Sequence, residues 1–147
     1  MLKRYTVWLW TAVVFLLLTG AIHSISFFVN PTPQNETEKQ LLFLLSSYKL
    51  DMGGGFHPTM GNLMTALSSC FTFLCVLGGL TIAYLLKKRA TPEILRGIVG
   101  IHLLVIGACF TVNVVLTFLP PIILTGLCVL FLGLGFLAIP SAAPVET

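Results

Sequence analysis

The sequence predicts an all-α membrane protein, with four transmembrane helices in an up-down-up-down bundle and one short amphipathic helix outside it. Hydrophobic residues make up 56% of the 147 residues and charged residues only 9%, whereas a soluble domain is about one-quarter charged. Four apolar runs reach the length of about 20 residues that a spanning helix needs. Because backbone amides need internal partners in hydrocarbon, each run should be helical. We treat residues 1–147 as one transmembrane domain.

Each predicted span is an apolar run bounded by charges, prolines or glycines. The four spans cover residues 5–29, 59–86, 94–119 and 121–139. The first run follows Lys3 and Arg4, as a signal peptide would. Its apolar stretch is longer than the roughly 7–15 residues of a signal-peptide core, so we expect a retained helix.

The connection between spans one and two contains the predicted amphipathic helix, over residues 35–51. Asn35 stands three residues before Glu38, as in a capping box. The acids Glu36 and Glu38 also suit the first turn of a helix. The apolar side chains share one stripe, made of Leu41, Leu45, Tyr48 and Met52 and joined by Leu42 and Leu44. Such a helix lies in the membrane surface or caps the bundle.

The stretch GGGFHP that follows, residues 53–58, has two interpretations. His57 makes a binding loop conceivable. The alternative is a hinge, since glycine adopts backbone angles that other residues resist and Gly53 suits the position after a helix end. Pro58 also fits the first turn of span two. The hinge explains more of these residues and is the interpretation we favour.

The positions of lysine and arginine predict the orientation, because cytoplasmic connections are enriched in both. Of the 8 basic residues, six lie at the N-terminus or between spans two and three, and two lie between spans one and two. They are Lys3, Arg4, Lys87, Lys88, Arg89 and Arg96, then Lys39 and Lys49. We therefore expect both termini in the cytoplasm and residues 30–58 outside. The bilayer and a membrane protein are the expected partners, with no role for nucleic acid.

The turn between spans three and four is expected at Leu119-Pro120-Pro121, on the outer side. It is so short that these two spans must be antiparallel neighbours. Small residues should let the helices approach closely, as Gly107 and Thr111 do in a small-xxx-small pair. Further glycines suited to this are Gly78, Gly79, Gly97, Gly100, Gly126, Gly133 and Gly135.

Polar residues recur on one face of three spans and supply the candidate site. The three sets are Thr19, His23, Ser26 and Asn30; Asn62, Thr65, Ser69 and Thr72; and His102, Cys109 and Asn113. One interpretation is that they hold the helices together by hydrogen bonds. The alternative interpretation rests on depth in the membrane. His23 lies about 28 Å above Arg4, and Asn113 lies about 25 Å above Arg96. His23, Asn113, Asn62 and Thr65 would then line an outward-facing polar pocket, with His57 at its rim.

His102 predicts a different site. It lies about 20 Å below His23 in straight helices, so one haem cannot bind both residues. His102 is instead a candidate single axial ligand, for example of a chlorophyll magnesium, and the cofactor stays undetermined. The cysteines, Cys70, Cys75, Cys109 and Cys128, form no metal-binding pattern and should pack as small apolar residues.

Apart from Arg96, at the start of span three, the spans contain no Asp, Glu, Lys or Arg, which argues against an ion-driven transporter. No nucleophile–base pair, phosphate loop or carboxylate dyad is present either, so we expect no enzyme. With four short spans, an outer GGGFHP junction and a Phe-, Leu- and Gly-rich second span, the chain resembles small, uncharacterised bacterial four-helix inner-membrane proteins, and loosely the DoxX-like group. The resemblance implies a bacterial inner membrane.

Two functions follow as hypotheses. The first is a non-enzymatic integral subunit that packs against a larger membrane complex, one of an energy-transducing kind, and holds lipid, quinone or pigment at its edge. The second is a stand-alone small-molecule binder or carrier that uses the outer pocket. A cofactor-bearing redox protein is the third possibility, and it predicts a visible absorption band.

Overall fold

The computed structural model describes residues 4–29 and 31–140, so the predictions about Lys3 and Asn30 lie outside the described residues. The described chain forms five helices and one isolated antiparallel bridge between Lys49 and Thr59. The helices are α1 (Arg4–Ile25), α2 (Glu36–Ser47), α3 (Met60–Lys87), α4 (Pro92–Leu116) and α5 (Leu119–Ala138). All but α2 are long and apolar enough to cross a membrane, which confirms the four predicted apolar helices.

Two predicted helix ends were wrong because apolar runs do not mark where hydrogen bonding stops. Helix α1 ends at Ile25, and Ser26 turns away with its hydroxyl donating to the His23 carbonyl at 2.7 Å. Helix α5 already begins at Leu119, so the turn lies at residues 117–118 and not at the prolines. Pro120 and Pro121 occupy the first helical turn, where a missing N–H costs no intrahelical bond.

Helix α2 begins as predicted and ends early. The Asn35 side chain accepts from the Glu38 backbone N–H at 2.8 Å, and the Glu38 carboxylate accepts from the Gln34 N–H at 2.6 Å. The capping pair is therefore present, with its return bond displaced by one residue. The helix stops at Ser47, so the predicted range 35–51 was too long, and Tyr48 and Met52 do not continue its stripe. None of the α2 residues is buried.

Residues 48–59 form a narrow hairpin rather than a simple hinge. The Leu50 N–H donates to the Pro58 carbonyl at 2.9 Å, which closes the hairpin. Its tip is Gly53-Gly54-Gly55, with φ of 75°, 61° and 81°, the left-handed region that glycine adopts without strain. Pro58 precedes α3 instead of lying in its first turn, and Thr59 caps α3 by accepting from the Asn62 N–H at 3.1 Å.

The chain packs as two compact units, Met1–Gly20 with Leu74–Thr147, and Ala21–Phe73. We call them unit one and unit two. Unit one contains the described hydrophobic core, to which α1, α3, α4 and α5 all contribute. Its buried members are Tyr5, Leu9, Ala12, Val13, Leu16, Ile82, Leu95, Val99, Ile106, Cys128, Leu132 and Ile139.

Helices α4 and α5 form an antiparallel hairpin, as predicted. At one end the Arg96 guanidinium donates to the Ile139 carbonyl at 3.0 Å, and at the other the Asn113 amide donates to the Thr125 hydroxyl at 3.4 Å. Arg96 thereby satisfies a carbonyl that the end of α5 leaves free, where a cation is also favoured by the helix dipole.

Close helix approach occurs at other glycines than the predicted pair. A Cβ on Gly79 would lie 2.9 Å from the Leu17 side chain, and one on Gly135 would overlap the Leu9 side chain. Both glycines therefore allow a neighbouring helix to pack directly on backbone. Gly107 differs, because a Cβ there would meet nothing within 4 Å. The small residues at Gly107 and Thr111 are open in the folded chain, and no helix of unit one packs against Gly107.

Candidate functional site

His23 lies in the last turn of α1 and belongs to unit two. Its half-buried ring stands edge-on to two phenylalanines, with centroids 5.9 Å from Phe27 and 5.1 Å from Phe71. The Nε2 atom is buried and has no hydrogen-bond partner among the described residues. An imidazole nitrogen without a partner is costly in an apolar environment, and it can accept or donate one bond to a small polar molecule.

The other predicted pocket residues of unit two are exposed. His57 lies in the hairpin, and Asn62 and Thr65 lie in the first two turns of α3. None of them forms a hydrogen bond with His23 or with one another. Farther along α3, the Thr72 hydroxyl is buried and, like His23 Nε2, has no partner within the described chain. The described residues of unit two thus contain two buried side-chain polar atoms without partners.

Asn113 belongs to unit one and is used inside it. The side chain is half-buried on α4, and its amide donates to Thr125. The Thr125 hydroxyl in turn donates to the Pro121 carbonyl of its own helix at 2.6 Å. The Asn113 amide nitrogen, which the sequence assigned to the pocket, therefore joins α4 to α5 instead.

His102 has the chemistry of a single ligand. Its Nδ1 lies 2.8 Å from the Ile98 carbonyl, which can only accept, so Nδ1 carries the proton. The lone pair of the neutral ring is then on Nε2, the form in which histidine binds metals, with Nδ1 held by a backbone carbonyl. The ring packs against Gly78, where a Cβ would lie 3.0 Å from its Cδ2. The described residues contain no group of three His, Cys, Asp or Glu side chains able to hold a metal ion.

The cysteines differ in exposure. Cys75 and Cys128 are buried, Cys109 is half-buried and Cys70 is exposed, and none forms a disulfide. Cys128 Sγ lies 3.5 Å from the Thr19 hydroxyl across α1 and α5. The predicted role as small packing residues therefore fits the buried Cys75 and Cys128 and does not fit the exposed Cys70.

Sequence reasoning missed a cavity of about 740 Å³ in unit one, at the end where α1 begins and α3 ends. Its wall includes Tyr5, Trp10, Arg89 and Thr91. One feature of the sequence could have predicted it. Aromatic and basic residues cluster at one end of the predicted helices, which is the composition of a membrane interface.

Comparisons with protein-family models, with curated proteins and with solved structures find no match. The support for each candidate site is therefore its geometry in this structure.

Proposed function

We propose that the protein is a non-enzymatic subunit of a bacterial inner-membrane complex, against which it packs through α4. In this proposal α1, α3, α4 and α5 cross the membrane up-down-up-down, with both termini in the cytoplasm and α2 at the outer surface. The described contacts support the alternation, since α4 and α5 run antiparallel. The six basic residues at one set of connections support the orientation.

The observation that carries the proposal is the poor burial of α4 by its own chain. In an apolar stretch of 18 residues, α4 has only 11% buried by the rest of the chain, whereas α1 has 39%. One face of α4 is exposed along its length and mixes small and large apolar residues. We call it the α4 outer face, and it consists of Gly97, Ile101, Leu104, Ala108, Thr111 and Val115.

The composition of the α4 outer face suits a protein better than lipid. Helices in membranes associate where small residues let backbones approach. Gly107 borders the face and has open space around it, while Thr111 uses its hydroxyl on the Gly107 carbonyl at 3.1 Å. A partner helix can therefore pack closely at Gly107 without burying a hydroxyl that lacks a hydrogen bond. An energy-transducing complex with lipid, quinone or pigment at this edge is the partner we favour.

The test is extraction of membranes in a mild detergent, followed by mass spectrometry of co-migrating proteins and an absorption spectrum. The native protein should migrate with a larger membrane protein. Gly107→Leu should reduce the co-purified partner about tenfold, because filling a packed contact costs about 1–3 kcal/mol. Gly133→Leu is the matched control, since Gly133 also has nothing within 4 Å but lies on α5.

Circular dichroism must show that both variants keep the helical content of the native protein. A native protein that migrates alone, or only as a dimer of itself, contradicts the proposal. Equal loss of the partner in both leucine variants would show that α4 is not the contact.

The second candidate function is a stand-alone binder or carrier of a small polar molecule. The buried Nε2 of His23, which has no described partner, is the observation that favours it. In this candidate the solute supplies the missing hydrogen bond. The exposed His57, Asn62 and Thr65 of the same unit would then act as an entrance on the outer side.

A further inference from the structure

The cavity at the basic end of unit one has a mixed wall of polar and apolar residues. Arg89 and Thr91 come from the α3–α4 connection, and Tyr5 and Trp10 come from the first turns of α1. Leu86 and Leu95 complete the apolar part. At about 740 Å³ the cavity is large enough for a lipid headgroup and the start of its chains.

Arg89, one of the lining residues, adopts an unusual backbone conformation. Its φ is 52°, and it is the one described residue other than glycine with positive φ. The Arg89 N–H donates to the Leu86 carbonyl and the Ala90 N–H to the Leu85 carbonyl, at 3.2 and 3.0 Å. This is a Schellman motif whose left-handed position usually holds glycine. A strained arginine at such a position is a reason to look for a function.

The Arg89 guanidinium forms no hydrogen bond or ion pair within the described residues. Lys87 and Lys88 precede it, and the Lys88 ammonium lies over the Tyr84 ring at 5.9 Å. Glu93, in the first turn of α4, is exposed and does not line the cavity. The described wall of the cavity therefore contains a cation and no carboxylate, which suits an anionic group.

A separate apolar groove lies along α1 and shares Trp10 with the cavity. It has a volume of about 400 Å³ and is lined by Val7, Trp10, Thr11 and Val14. The Thr11 hydroxyl donates to the Val7 carbonyl at 3.0 Å, so the groove presents no free hydroxyl. Trp10 lines both the groove and the cavity. From Val7 to Val14 the groove follows about 10 Å of helix, the length of part of an acyl chain.

We propose that this cavity and groove bind one anionic phospholipid, with its phosphate at Arg89 and an acyl chain along Trp10. A guanidinium forms paired, charge-assisted bonds with phosphate oxygens. Basic pockets between helices on the cytoplasmic side bind anionic headgroups in this way. The site requires only that these helices lie in a membrane with their basic end in the inner leaflet. It does not depend on a partner subunit.

The experiment measures quenching of Trp10 fluorescence in the purified full-length protein by lipids with brominated chains. A Trp8→Phe background leaves Trp10 as the single reporter and keeps a ring against Phe131. Brominated phosphatidylglycerol should quench at a concentration at least about tenfold lower than brominated phosphatidylcholine, the factor expected of one charge-assisted bond.

Arg89→Asn removes the guanidinium, and asparagine tolerates the left-handed conformation. This variant should lose the preference for phosphatidylglycerol about tenfold or more. Lys88→Gln is the charge-matched control and should lose about fivefold or less, the effect of general attraction between a basic residue and an anionic surface. Unchanged circular dichroism shows that both variants are folded.

Equal losses in the two variants, or no preference in the native protein, overturn the proposal. Inorganic phosphate at millimolar concentration should not displace the lipid, and displacement would assign the site to free phosphate. Partner co-purification should be unchanged in Arg89→Asn. The lipid site and the subunit role can therefore fail separately.

Discussion

One interpretation of the polar side chains in the spans was that they bond across helices, and several of them bond within their own helix instead. A hydroxyl on a helix can donate to the carbonyl four residues earlier, which leaves no donor for a neighbour. Sequence periodicity identifies the face of such a residue and not its acceptor. The bonds of this kind join Thr19 to Phe15, Ser69 to Thr65, Thr111 to Gly107 and Thr125 to Pro121. Two side-chain pairs do bond between helices in the described chain, Asn113 with Thr125 and Thr19 with Cys128.

His23 gives the prediction at the residue scale. His23→Phe keeps an aromatic ring beside Phe27 and Phe71 and removes the buried Nε2. The free energy of unfolding should rise by about 1 kcal/mol, because a buried polar atom without a partner costs roughly 1–3 kcal/mol. Denaturant unfolding in detergent micelles measures this change, and Thr72→Val, which removes the other such atom, should shift stability in the same direction.

A loss of stability in His23→Phe alone would mean that Nε2 is hydrogen-bonded in the membrane. That result would support the binder or carrier, whose solute supplies the bond. Loss of solute binding in the same folded variant would complete the case for it.

At the element scale, composition predicted which segments are helices, and local hydrogen bonds decided where they end. The Asn35–Glu38 cap could be predicted because its residue types and spacing specify one geometry. The end of α2 could not, since Leu50 and Met52 continue the apolar pattern while their backbone N–H groups bond across the hairpin. The three glycines at its tip required left-handed angles, as their sequence suggested.

Helix contacts give the prediction at this scale. Gly135→Ala should lower the free energy of unfolding by about 1–3 kcal/mol, because the new methyl group overlaps Leu9 in the core of unit one. Gly133→Ala is the control on the same helix: nothing lies within 4 Å, and alanine favours helix by about 1 kcal/mol. Thermal unfolding of both variants in one detergent measures the difference. Equal stability would show that α1 and α5 are not in contact at Leu9.

At the scale of the whole molecule, four apolar helices followed from composition alone, since 13 charged side chains (8 basic and 5 acidic) cannot cover a soluble domain of this size. Composition and spacing did not determine which side chains meet in a pocket. Depth along straight helices places residues at one level, but it does not say which side chains face each other. Asn113 shows this, because its amide is engaged by the adjacent helix.

Orientation gives the prediction for the whole molecule. In a variant with the four native cysteines replaced, a cysteine at Ser47 should react with an impermeant maleimide added to intact cells. A cysteine at Lys88 should react only after permeabilisation, because basic connections stay in the cytoplasm. Mass-tag gel shifts measure both reactions. Labelling of the Lys88 position in intact cells would invert the topology and remove a requirement of the proposed lipid site.

The start of α1 and the end of α5 lie side by side. Arg4 and Trp8 share one surface depression with Leu137 and Ala138, and Trp8 stacks near Phe131, with ring centroids 6.1 Å apart. Arg4 and Ala138 therefore lie at the same end of unit one. Once the protein lies in a membrane, we expect reporter groups attached beside Arg4 and beside Ala138 to fall on the same side of it.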